Sequence, residues 1–131
     1  YDQILIKDNH IDYAGSVQAA VGGAHRHLES VGTNVPVVVE VRDLDEVRAA
    51  LEVGGVDRLL LDNFSPVQAA EAVAYIAGRI LTEASGGLTP DTVRAYGEAG
   101  VDFVSLGWLT HSPASLDISL KSAAALAALQ Q

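Results

Sequence analysis

The 131-residue sequence contains no cysteine. That absence excludes disulfides, thiolate metal sites and a cysteine nucleophile, and it fits a reducing cytoplasm, the compartment expected here. Positive charge is also scarce: 8 lysines and arginines stand against 17 aspartates and glutamates, for a formal charge of −9. A chain so acidic is a poor partner for nucleic acid or for an anionic membrane surface, and neither is expected. No apolar run is long enough to cross a bilayer; the alanine-rich stretch 122–129 reads as a helix. No signal peptide is visible. What remains is ample for a core, since 49% of the residues are hydrophobic. The length suits one domain or a piece of one, and a start at Tyr1, just before an apolar strand, reads as a cut inside a domain.

Strand and helix signals alternate about five times. Apolar, β-branched runs predict strands over 3–7, 35–41, 58–61, 80–84 and 102–106. Between them, Ser16 caps a helix running to about Ser30, and Asp43 opens another that stops at Gly54-Gly55. Ser65-Pro66 starts a third, Thr89 with Pro90 a fourth, and a last helix is expected from Leu116 or Ser119. A polar segment joins the first strand to Ser16. Alternation with short links calls for a parallel sheet whose crossovers are helices. The strands read as continuously apolar, so both sheet faces are expected to be buried. A (β/α) barrel and a doubly wound sheet both satisfy this pattern.

The charges favour the barrel. Lys7, Glu40, Asp62 and Glu83 each stand at the C-terminal end of an apolar strand, about one βα unit apart. Side chains alternate along a strand, so each shares a face with Leu5, Val38, Leu60 or Leu81 two residues earlier. In a barrel that face is the interior, and strand ends form the rim where such enzymes place their chemistry. Beside the rim, Glu83-Ala84-Ser85-Gly86-Gly87 followed by Leu88-Thr89-Pro90 reads as a strand, a tight turn and a helix start. Exposed amides there would cradle a phosphate; turn geometry alone is the plainer reading of the glycines.

Five segments in order carry a resemblance. They are Ile4-Leu5-Ile6-Lys7-Asp8-Asn9-His10, Val38-Val39-Glu40-Val41, Leu60-Leu61-Asp62-Asn63-Phe64, Glu83-Ala84-Ser85-Gly86-Gly87 and Leu106-Gly107-Trp108-Leu109-Thr110-His111-Ser112. The sequence resembles the barrel domain of the quinolinate phosphoribosyltransferases, decarboxylating enzymes of NAD biosynthesis. The resemblance implies a partial (β/α) barrel of about five parallel strands, without the family's N-terminal sandwich domain and first barrel segment. It implies transfer of phosphoribose from phosphoribosyl pyrophosphate to quinolinate, with loss of pyrophosphate and CO2 to give nicotinate mononucleotide. It also assigns roles. Lys7 lies near the anionic substrates, and Glu40 and Asp62 hold the ribose hydroxyls and a Mg2+ that rides with pyrophosphate. Glu83 joins the substrate-binding rim; Ser85, Gly86, Gly87, Gly107, Trp108 and His111 bind the 5′-phosphate. Trp108 stands where the family is expected to have a small residue.

The family's glycine-rich stretch with a His-Arg pair precedes the strand ending in lysine, so His25-Arg26-His27 reads as a solvated helix face instead. His10 reads as a supporting hydrogen-bonding residue. The arginines, Arg58 among them, fall in helices or away from strand tips, leaving a rim of one lysine and three acids. In the family, arginines from upstream and from a neighbouring subunit complete the pocket. The isolated chain is therefore expected to be inactive, and its open strand edges near Ile4 and Phe103 to self-associate. A pyrophosphorylase acting on another base, or a non-enzymatic phosphate-binding half-barrel, are the other readings.

Overall fold

The valine-rich and leucine-rich runs form five short strands, and the capping residues between them start the helices. The computed structural model describes residues 2–120 and 122. In chain order the elements are β1 (Ile4–Ile6), α1 (Asp8–Ala14), α2 (Val17–Val31), β2 (Val37–Val41), α3 (Leu44–Val53) and β3 (Arg58–Asp62). There follow α4 (Pro66–Ile76), β4 (Leu81–Ser85), α5 (Val93–Ala99), β5 (Phe103–Val104) and α6 (Trp108–His111). All four strand pairings are parallel and the order is β1-β2-β3-β4-β5. A doubly wound sheet reverses its strand order at a switch point; a barrel wall does not. The unbroken sequential order makes this one open sheet, a section of a (β/α) barrel.

Local chemistry explains most of the boundaries. Ser16 Oγ accepts from the Ala19 amide at 3.1 Å to begin α2, and Asp43 Oδ1 accepts from Asp45 and Glu46, both at 2.9 Å, to begin α3. Ser65 and Gln68 form a reciprocal capping box ahead of Pro66 in α4. Two helices depart from the sequence reading. The segment before Ser16 is the helix α1, whose start is tied by His10 Nδ1 accepting from the Lys7 amide at 2.9 Å. The helix expected from Pro90 begins at Val93, because Thr89 and Thr92 first close a turn, with the Thr92 and Val93 amides both donating to Thr89 O. Residues 116–120 are not helical, and the rest of the final helix expected there falls outside the described residues apart from Ser122.

The core lies between the sheet and its helices. Val37, Val39, Val41, Leu59, Leu61 and Ala84 point to that side and are buried against Val21, Val47, Ala50, Ala69, Ala72 and Ile76. The opposite face is not buried throughout. Only β2 is buried at every position, whereas β3 and β4 alternate buried and half-exposed residues. Leu81 and Phe103 are 46% and 44% exposed, so the expectation of two covered faces fails where the sheet remains open. Among the described residues no helix is long and apolar enough to cross a membrane.

Candidate active site

Register decides which side chains share a face. Glu40 pairs with Leu60, and Leu60 with Glu83; Asp62 pairs with Ser85; Glu83 pairs with Phe103. In-register residues of a parallel sheet project to the same side, and so do residues two apart on one strand. Glu40, Asp62, Glu83 and Ser85 therefore occupy one face, the face away from the helices. Lys7 follows β1 at the same end and is exposed.

The three acids differ in their partners. Glu40 is buried to 9% exposure, and its Oε1 accepts only a long bond from the Asp8 amide, at 3.5 Å. Asp62 accepts from Asn63 Nδ2 at 2.7 Å and from Ser85 Oγ at 3.2 Å. Glu83 is fully engaged: Arg58 Nη1 donates to one oxygen at 2.8 Å and the Ser105 hydroxyl to the other. Arg58 stands away from the C-terminal strand tips, as expected, yet it is engaged with one of the acids. It is the first residue of β3, on the acidic face, with its guanidinium 4.4 Å from the Phe103 ring centroid. An arginine here offsets one of the three acids that otherwise leave the face uniformly negative. Among the described residues its Nε is a buried donor with no partner.

Next to Asp62 lies a cavity of about 420 Å³ lined by Ser85, Gly86, Gly87, Leu88, Thr89, Ser105, Gly107, Trp108 and His111. Gly86 and Gly87 have φ of +86° and +66°, the left-handed conformations that let the chain turn sharply after β4. Among the described residues no protein group accepts from the amides of Gly86, Gly87, Leu88, Gly107 or Trp108. Unpaired amides from two successive strand ends around one cavity form an electropositive concavity suited to an anion. The helix-start argument does not contribute, since α5 begins six residues after Gly87. His111 Nδ1 lies 2.7 Å from Ser112 Oγ, and a Cβ on Gly107 would meet His111 Nε2 at 3.1 Å, so the imidazole packs close over Gly107.

Cavity and acids are joined directly. Asn63, at φ +55°, donates its amide to Ser85 O at 2.9 Å and sits hard against Gly86. Ser85 Oγ reaches Asp62, so one strand end serves both. Among the described residues no group of three His, Cys, Asp or Glu could hold a metal ion. Glu40 and Asp62 offer hard carboxylate oxygens on one face without a protein cage. That donor set fits Mg2+ completed by phosphate oxygens and water, and it does not fit a closed structural metal site.

Two other residue groups resolve plainly. His25, Arg26 and His27 lie on α2, where His25 Nε2 is 2.9 Å from Gly55 O, away from the acidic face. Asp57 and Asp102 were missed as structural groups. Asp57 Oδ2 accepts from the Val37 amide at 2.8 Å; Asp102 Oδ2 accepts from the Thr82 amide and hydroxyl at 2.7 and 2.8 Å. Each holds the N-terminal end of the neighbouring strand, and each sits in the same tripeptide, Gly55-Val56-Asp57 and Gly100-Val101-Asp102. That repeat was the available signal.

Residues 1–121 match the family described as "Quinolinate phosphoribosyl transferase, C-terminal domain". The chain is 40% identical, over 92% of its length, to the chloroplastic nicotinate-nucleotide pyrophosphorylase [carboxylating] of Arabidopsis thaliana, and 39% identical over 92% to a probable nicotinate-nucleotide pyrophosphorylase [carboxylating] of Bacillus subtilis. It spans only 39% and 40% of those relatives. Among solved structures, NadC from Streptococcus pyogenes superposes with a TM-score of 0.79 at 40% identity, over 92% of this chain and 41% of that one. The sheet order, the five segments and these similarities agree: the chain belongs to the quinolinate phosphoribosyl transferase family, over its C-terminal domain.

Proposed function

We propose that this chain forms the phosphoribosyl-binding part of a quinolinate phosphoribosyltransferase, which transfers phosphoribose from phosphoribosyl pyrophosphate to quinolinate with loss of pyrophosphate and CO2. The carrying observation is the set of unpaired amides around one cavity, beside a strand end that bears Asp62. In this reading Ser85, Gly86, Gly87, Gly107, Trp108 and His111 take the 5′-phosphate. Glu40 and Asp62 face the ribose. Displacement at an anomeric carbon develops oxocarbenium character, and fixed carboxylates on that side stabilise the positive charge. Glu40 and Asp62 would hold Mg2+, which when bound would supply neutralisation of the pyrophosphate charge. Lys7, exposed at the rim, attracts the anionic substrates. Glu83 belongs to the same rim, but its oxygens already serve Arg58 and Ser105, so it acts through that network.

The proposal extends to the isolated chain, to its assembly and to its compartment. The 131 residues are inactive alone, because a face with more acids than cations cannot hold two polyanions at close range. Among the described residues β1 and β5 are edge strands; their open edges pair with further chain, so sedimentation should find self-association and not a stable monomer. The work is placed in the cytoplasm, although the Arabidopsis relative is chloroplastic. Calorimetric titration with ribose 5-phosphate tests the core of the reading. Binding should be weak but measurable, and lost in Gly87→Ala, whose new methyl enters open space at the cavity lining. An absence of heat with the parent chain would end it.

A further inference from the structure

Among the residues lining the phosphate cradle, Trp108 carries a side chain that binding through backbone amides does not use. Trp108 is the sole tryptophan of the chain. It is half-buried and lines the cavity together with Gly86, Gly87 and His111. Among the described residues its indole N–H has no acceptor, and it is not sealed from solvent, so it is available to a ligand. A phosphate held by backbone amides needs no aromatic neighbour. The space is also far larger than a phosphate group: at about 30 Å³ per water, 420 Å³ corresponds to roughly a dozen waters.

We infer that Trp108 is a specificity-determining residue, an aromatic platform that makes the cavity select a phosphomonoester carried on a sugar over a bare inorganic anion. The inference rests on the phosphate reading of the cavity and adds what is attached to the phosphate. A sugar ring presents C–H groups that pack on an aromatic face and hydroxyls that can accept from the indole N–H. Inorganic phosphate reaches the amides but covers none of the ring. Pyrophosphate adds charge next to the Glu40, Asp62 and Glu83 face without covering the ring either.

The sole tryptophan makes the site self-reporting. Ribose 5-phosphate and inorganic phosphate are titrated separately into the 131-residue chain, following tryptophan emission and, in parallel, heat. Ribose 5-phosphate should shift the emission and bind on the order of tenfold more tightly than inorganic phosphate, the scale of one good aromatic contact. Trp108→Ala, followed by heat alone, should bring the two ligands to within about twofold by weakening only the sugar phosphate. Trp108→Phe keeps a ring without the N–H and should retain most of the preference. Circular dichroism of both variants checks that the fold is kept. If both ligands bind the parent chain, and Gly87→Ala abolishes that binding, yet Trp108→Ala keeps the full preference, the inference is overturned and the cradle stands. If Gly87→Ala leaves inorganic phosphate binding intact, or the parent chain binds neither ligand, the cradle reading fails and the inference falls with it.

Discussion

Substituting alanine at Gly86 and, separately, at Gly87 measures how tightly the cavity is tied to the Asp62 strand end. Both glycines are left-handed, so each alanine incurs the same kind of backbone penalty, roughly 1–2 kcal/mol. Their surroundings differ. A Cβ on Gly87 meets nothing within 4 Å, whereas a Cβ on Gly86 would lie 2.4 Å from Asn63 Oδ1, 2.6 Å from its Cγ and 2.8 Å from its backbone nitrogen. The amide side chain could swing aside. The backbone nitrogen cannot, because its N–H is held by Ser85 O at 2.9 Å, and Asn63 itself is left-handed. Forcing atoms into such a contact adds about 1–3 kcal/mol. Gly86→Ala should therefore cost roughly 2–5 kcal/mol against 1–2 for Gly87→Ala, a large share of the stability of an ordinary domain. Urea unfolding should place the Gly86→Ala midpoint about 0.5–1.5 M below that of Gly87→Ala, for a slope of about 2 kcal/mol per molar. Adding Asn63→Gly removes two of the three close contacts and should recover part of the loss. Equal midpoints for the two alanine variants would refute the argument that contact with Asn63, and not backbone conformation alone, fixes glycine at position 86.

Other outcomes follow from single contacts. Arg58→Met leaves Glu83, its side chain only 14% exposed, with Ser105 as sole partner; partial burial puts the cost at about 1–3 kcal/mol, and Arg58→Met with Glu83→Leu should be more stable than Arg58→Met alone by thermal melting. Asp102→Ala removes an acceptor from two donors and Asp57→Ala from one, so chemical denaturation should find the Asp102 variant the worse, with losses of about 1–3 kcal/mol per abandoned buried donor. Asp43→Ala deprives two amides of α3 of their cap and should lower stability by about 1 kcal/mol, with Asp43→Asn close to the parent. If Mg2+ is shared by Glu40 and Asp62, then Asp62→Asn should lose the Mg2+-dependent part of phosphoribosyl pyrophosphate binding, about tenfold or more, while inorganic phosphate affinity, read by calorimetry, stays unchanged.

The sheet was legible because its signals are local. A capping residue ahead of an apolar helix face marks α2, α3 and α4 without any knowledge of tertiary contacts, and Gly54-Gly55 marks the end of α3. Alternation then dictated parallel pairing, and the charges at four strand ends chose the barrel. What escaped depended on distant partners. The helix α1 buries only Ile11 and is tied at its start by a histidine ring, an unusual capping group, so neither its periodicity nor its start stands out. The pairing of Arg58 with Glu83 was not legible, because Glu83 and Phe103, which hold it, lie on the next two strands. Proline favoured an early start for α5, but the two threonine hydroxyls pair across a turn and postpone it.

Those long-range contacts alter the chemistry that can be assigned to the acidic face. Taken as four independent charges, Lys7, Glu40, Asp62 and Glu83 are interchangeable members of a rim. The structure makes them unequal. Glu83 is neutralised by Arg58 and held by Ser105, so it contributes little free charge and serves as a fixed brace between β3, β4 and β5. Asp62 is held on one oxygen by Ser85, whose strand end continues into the amide cavity. Glu40 is the most buried of the three and the least satisfied, with one long hydrogen bond to its carboxylate. Its second oxygen makes no hydrogen bond among the described residues yet is not sealed from solvent, so the carboxylate stays open to a cation or a donor. The free negative charge of the face is thereby left to Glu40 and Asp62, and Asp62 adjoins the proposed anion cavity through Ser85. A ligand that carries a phosphate at one end and develops positive charge a few bonds away satisfies both halves at once, and a simple anion or a simple cation satisfies only one.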